Sequence, residues 1–127
     1  MELTGQQIID VLNQQFPPNQ PFPRILQVSG LTYTWNTNGP EGDKIVSAFV
    51  DGVAIDRKAM YSVAANSFIA AGGDKFTVFN KGINRVGGPL DIDALVDYVG
   101  RLPQPVAPVV SGDRIIRLSG LIFDKRE

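Results

Sequence analysis

The chain has 127 residues, of which 43% are hydrophobic and 20% charged, with a formal net charge of −1; these are the proportions of one globular domain able to bury a core without disulfides. It contains no cysteine and no histidine, which excludes thiol catalysis, Ser-His-Asp triads and histidine-bound zinc within the chain, and no Asp/Asn run has the spacing of an EF-hand loop. Balanced charge without a basic block gives no electrostatic case for nucleic acid or an anionic membrane, and no apolar run is long enough to insert across a bilayer.

In chain order, a helix opens the sequence. Thr4 is a good N-cap, Gln7 completes a capping box, and Leu3 with Ile8 forms a hydrophobic staple. Ile8, Ile9, Leu12 and Phe16 mark one face, and Pro17 and Pro18 stop the helix. After the loop "NQPFPR", Ile25–Ser29 reads as a strand. Leu31–Trp35 reads as a half-buried strand, alternating apolar residues with threonine, so that Leu31, Tyr33 and Trp35 face the core. Asn36–Gly42 is turn chemistry, and Asp51-Gly52 between two apolar runs is a strong hairpin signal. Tyr61–Ala65 and Phe76–Phe79 read as two further strands. A second helix begins at Asp91, with Leu90 and Leu95 at staple positions and Ile92, Leu95, Val96, Val99 and Leu102 at helical spacing; Gly100 and Pro103 end it. Residues 103–110 are a Pro-rich connecting segment, followed by a last strand over Arg114–Leu118 that Leu121–Phe123 could extend. Strands outnumber helices without alternating with them. The expected class is therefore α+β, one domain over 1–127, with a mixed, largely antiparallel sheet and two main helices.

The loop "NSFIAAGGDK" between the strands expected at 61–65 and 76–79 is the one candidate for chemistry. On residue type alone, Phe68 is a core residue, Gly72-Gly73 a turn and Asp74 a turn acceptor. "GINRVGG" has neither P-loop nor dinucleotide spacing and reads as a loop. Asp91, Asp93 and Asp97 are explained by the helix dipole or a solvated face, and the "DKRE" tail by solvation.

Four stretches in collinear order, "ELTGQQIIDVLN", "FPRILQVSGLTYTWN", "GDKIVSAFVDG" and "YSVAANSFIAAGGDKF", resemble the C-terminal domain of 5′-nucleotidases. The likeness runs from about Glu2 to about Leu118, and the "NSFIAAGGD" loop is its most specific part. It implies that Phe68 stacks on a nucleobase and that Asp74 accepts hydrogen bonds from the ribose diol. It further implies that Gly72 and Gly73 adopt φ > 0 and allow close backbone approach, and that Asn66 holds the loop. It also implies that the hydrolysis is done by a divalent metal pair in an N-terminal metallophosphatase domain of the parent protein, this chain supplying no catalytic residue, metal ligand or cofactor of its own. The implied partners are that domain and a nucleotide or nucleoside, and the implied setting of the parent is periplasmic, secreted or on the cell surface. There are two departures. The family's domain extends further on its N-terminal side, where it carries arginine and asparagine ligands and a second aromatic, so the domain is expected to be truncated at Met1. Lys75 stands where the family often has glycine, and a lysine is expected to keep φ < 0 there. The alternative function is a non-catalytic binding or structural module that kept the fold and lost the site.

Overall fold

The computed structural model describes residues 1–108 and 113–119. Strand β1 (Glu2–Thr4) runs directly into helix α1 (Gly5–Asn13). The capping box is formed in both directions: the Gln7 N–H donates to Thr4 Oγ1 at 3.1 Å, and the Thr4 N–H donates to Gln7 Oε1 at 2.9 Å. The two N–H groups before Gln7 are satisfied by a distant loop, Gly5 donating to the Ala59 carbonyl at 2.9 Å and Gln6 to the Arg57 carbonyl at 3.0 Å. Glycine is required at position 5, because a Cβ there would collide with the Asp56 carbonyl. Helix α1 buries Ile8, Ile9, Val11 and Leu12, and the chain beyond its end buries Phe16 before the prolines.

Four strands form the main sheet, in the order β4 (Val53–Ala54), β3 (Ile45–Val50), β2 (Leu31–Asn36), β6 (Ile115–Leu118). The pairs β4–β3 and β3–β2 are antiparallel and β2–β6 is parallel, so the sheet is mixed and the class is α+β with two main helices. Tyr33 sits opposite Ala48 on one side and Ile115 on the other. A register shift after Thr34 lets Trp35 pair with Ile45. Asp51 and Gly52 both have positive φ, 50° and 80°, as a two-residue hairpin turn requires. A separate two-stranded sheet joins β1 antiparallel to β5 (Met60–Ser62).

The core lies between α1 and the inner face of β2 and β3. Tyr33 is 2% exposed, Trp35 is buried, and Phe16 stacks on Trp35 with ring centroids 4.4 Å apart; Leu31 is half-buried. Among the described residues, one amide side chain is fully enclosed. Gln15, 0% exposed, donates from Nε2 to the Leu12 carbonyl, while its Oε1 accepts from the Leu26 N–H and the Tyr33 hydroxyl. Burial pushes the Tyr33 phenol above its ordinary pKa, and the bond to Gln15 partly offsets this.

Three expected strands are corrected. Ile25–Ser29 forms no strand: its polar groups turn to side chains, the Leu26 N–H meeting Gln15 and the Val28 carbonyl meeting the Arg114 guanidinium. The strand expected at Tyr61–Ala65 is instead β5, Met60–Ser62, paired with β1; Val63 beyond it still exchanges backbone hydrogen bonds with Met1. Phe76–Phe79 is not extended; Thr77–Lys81 is a 3₁₀ turn. Phe76 and Phe79 are three residues apart, the repeat of that turn, so both rings enter the core from one side. The expected extension over Leu121–Phe123 lies outside the described residues, as do 109–110 of the Pro-rich segment and the "DKRE" tail.

Helix α3 (Asp91–Arg101) forms where expected, but its apolar face is uncovered. Leu90, Ile92, Leu95 and Val96 are exposed and only Val99 and Leu102 are half-buried. Among the described residues, no helix is long and apolar enough to cross a membrane.

Candidate functional site

The loop between β5 and the 3₁₀ turn is built on a one-turn helix, α2 (Ser67–Ala70). Asn66 is its N-cap, the side-chain oxygen accepting from the Ile69 N–H at 2.9 Å. Ile69 points inward and packs against the core, which leaves Phe68, the residue before it, pointing outward and 61% exposed. The ring therefore does not join the aromatic core, against its ordinary tendency. It sits on a helical turn rather than on irregular loop.

The two glycines act differently. Gly72 has φ of 88°, and a Cβ there would stand 2.7 Å from the Asn80 amide nitrogen. Gly73 does not have positive φ, which corrects that part of the expectation; its role is space. A Cβ on Gly73 would lie 2.7 Å from the Phe68 ring, so the ring rests over a residue without a side chain. Asp74 and Lys75 follow with φ of 53° and 67°. Lysine thus takes the left-handed conformation expected of glycine, a strained state that only the surrounding contacts can maintain. The contacts are identifiable. The Phe76 N–H donates to the Gly73 carbonyl at 3.1 Å, and Arg24 Nη1 donates to the Asp74 carbonyl at 2.8 Å. The same Nη1 lies 4.0 Å from Asp74 Oδ1, and the Asp74 side chain is 57% exposed.

Asn66, Phe68, Gly72, Gly73 and Asp74 thus belong to one folded unit that presents a free aromatic ring and a carboxylate. Three supporting residues escaped the sequence reading. Arg24 reaches the loop from 50 positions away. Asn80 lies against Gly72. Arg85, inside the stretch read as plain loop, donates to the Ala70 carbonyl at 2.9 Å and to the Phe79 carbonyl, tying α2 to the 3₁₀ turn. No local pattern marks any of them, since each acts across the fold.

An apolar hollow of about 630 Å³ lies nearby, lined by Ile8, Val28, Leu31, Val63 and Ile69. It touches Asn66 but not Phe68 or Asp74, so the free ring and the carboxylate stand outside it. Among the described residues no three His, Cys, Asp or Glu side chains cluster as metal ligands would.

Residues 1–81 match the family described as 5′-nucleotidase, C-terminal domain. The chain is 32% identical to Endonuclease YhcR of Bacillus subtilis over 114 residues, covering 88% of this chain and 9% of that protein. It is 34% identical to Cell wall protein Lmo0130 of Listeria monocytogenes, covering 78% of this chain and 13% of the relative. The crystal structure of a 5′-nucleotidase precursor from Thermus thermophilus superposes with a TM-score of 0.82 at 33% identity, over 93% of this chain and 24% of that one. The chain thus spans a quarter or less of each of these longer proteins.

Proposed function

Since the chain belongs to the 5′-nucleotidase C-terminal domain family, we propose that it recognises the nucleoside part of a nucleotide within a longer phosphoesterase. The observation that carries this reading is the Phe68 ring, 61% exposed beside the core yet fixed over Gly73 and close in sequence to the exposed carboxylate of Asp74. A ring face stacks on any base, worth roughly 1–3 kcal/mol. A carboxylate is the natural acceptor for a vicinal diol. Asn66, Gly72 and Gly73 shape the turn that presents the two groups.

The chemistry of the parent is assigned to another domain. The described residues of this chain do not fit a divalent metal pair, since no three candidate ligands cluster among them. In this reading an N-terminal metallophosphatase domain holds the metals and cleaves the phosphate ester. The present domain places the substrate, and positioning of that kind contributes to rate as well as affinity. The parent is placed in the cell envelope or outside the cell, in keeping with a cell wall protein among the relatives.

The test is a titration of adenosine into this chain, followed by chemical shifts. One stacking contact and one carboxylate must offset an association cost of at least about 4 kcal/mol, which puts the dissociation constant near or above ~1 mM. Shifts should centre on residues 66–75 and weaken in Phe68→Ala and Asp74→Ala. Shifts centred elsewhere, or unchanged in both variants, would rule the assignment out.

A further inference from the structure

Arg24 is not part of the recognition loop, yet it is built as a strut between that loop and the core. Its backbone N–H donates to the Gln15 carbonyl at 2.8 Å, and the Leu26 N–H, two residues on, donates to Gln15 Oε1 at 2.7 Å. Gln15 is fully buried at the end of α1. Pro23 fixes φ on the residue before Arg24. The base of the side chain is therefore anchored to the buried core. Its far end meets Asp74 twice, donating to the carbonyl at 2.8 Å and standing 4.0 Å from the carboxylate oxygen.

The carbonyl in question belongs to the peptide between Asp74 and Lys75, the two residues that share positive φ. Two consecutive left-handed non-glycine residues are strained, so the pair relaxes toward other backbone angles unless contacts hold it. Arg24 opposes that relaxation by holding the oxygen. The nearby positive charge also limits the directions that the carboxylate adopts. At 35% side-chain exposure the ion pair is solvent-screened, so the directional bond to the carbonyl is the main restraint.

We propose that Arg24 is a positioning residue for the ribose-recognising carboxylate: it fixes the Asp74–Lys75 peptide and thereby sets discrimination for a cis-diol, without touching the nucleoside. This rests on the reading of Phe68 and Asp74 given above. The consequence is a separation of two properties. Base stacking depends on Phe68 and its bed over Gly73, which Arg24 does not contact in any hydrogen bond. Diol recognition depends on Asp74, which Arg24 holds.

The experiment compares adenosine with 2′,3′-dideoxyadenosine, titrated by chemical shift into the full chain and into Arg24→Gln and Arg24→Lys. The unmodified chain should bind adenosine several-fold more tightly than the dideoxy nucleoside. Arg24→Gln should bring that ratio close to one while leaving dideoxyadenosine affinity unchanged. Arg24→Lys, which keeps the charge and a donor, should recover part of the ratio. Without any ligand, the amide-to-α-proton coupling of Lys75 should also change in Arg24→Gln, reporting relaxation of its φ. A ratio in Arg24→Gln equal to that of the unmodified chain overturns the proposal and leaves the site reading intact. Equal weakening of both nucleosides overturns it as well, since it shows a general structural role. If the unmodified chain shows no preference and Asp74→Ala no effect, the site reading itself fails and this proposal falls with it.

Discussion

Helices α1 and α3 are written in the same language and end in opposite situations. Both carry apolar residues at helical spacing on one face. Helix α1 buries that face against β2, β3 and the 3₁₀ turn, with Leu12 2% exposed. Helix α3 buries no residue, and Val96 on its apolar face is 65% exposed. The difference extends to the ends. The first three N–H groups of α1 all find acceptors, in Ala59, Arg57 and Thr4. Helix α3 starts from Leu90, which has no capping side chain, and its first turn relies on Asp91 and Asp93 to favour the dipole. Periodicity thus reports that a face is apolar; whether something covers that face is decided by the rest of the fold. The family match, which ends at residue 81, contains the first helix and not the second.

The largest expected contrast is in truncation. Leu12→Ala should destabilise the chain by about 2–5 kcal/mol, the usual cost of a cavity in a packed core. Leu95→Ala on α3 should change global stability by no more than about 0.5 kcal/mol. Urea unfolding of both variants checks this, and similar losses in the two would erase the distinction between the helices.

Alkaline pH should act on the packed region through Tyr33. The Tyr33 pKa is raised in the folded chain by burial, so the folded state keeps a proton that the unfolded state gives up. Its contribution to stability is fully present below the unfolded value near pH ~10 and is lost as pH rises through the folded value. Tyr33→Phe should flatten that alkaline decline. Unfolding curves collected from about pH 9 to about pH 11 would show it; an unchanged slope would mean that Tyr33 is not the group responsible.

Capping comes next. Thr4→Ala removes a formed cap and should cost about 1 kcal/mol. Leu90→Ser supplies a cap where none exists and should raise the helicity of α3, by up to about 1 kcal/mol of helix stability, measured by carbon chemical shifts across residues 91–101. The smallest effect belongs to the Asp97–Arg101 pair, 2.8 Å apart on the exposed side of α3. Asp97→Asn should lower α3 helicity by roughly 0.3–0.5 kcal/mol, and less in high salt.

What could be read from the sequence was what is encoded locally. The Thr4–Gln7 box, the Asp51-Gly52 turn, the Leu31–Trp35 alternation and the span of α3 all depend on neighbours within one or two turns of chain. The misread segments depend on remote partners. Ile25–Ser29 has the composition of a strand, but the buried Gln15 amide takes its Leu26 N–H. Phe-Thr-Val-Phe alternates too briefly to distinguish a strand from a three-residue repeat, and burial of both rings selects the 3₁₀ turn. β1 was hidden behind the cap it leads into, because three residues before a helix carry no periodicity of their own. At the candidate site, Phe68, Gly72, Gly73 and Asp74 were visible as a motif. The arginines that brace it were not, because a single arginine has no pattern until the chain is folded around it.

The seat of α1 on the loop at residues 56–59 has a kinetic consequence. Local sequence favours the helix, but the acceptors for the Gly5 and Gln6 N–H groups lie more than fifty residues downstream. The first turn therefore cannot be completed until β5 has docked on β1, and it must release whenever that pairing opens. Amide exchange at Gly5 and Gln6 should accordingly keep time with the β1–β5 ribbon, while the amides from Ile9 to Leu12 exchange at the slower rate of the helix interior.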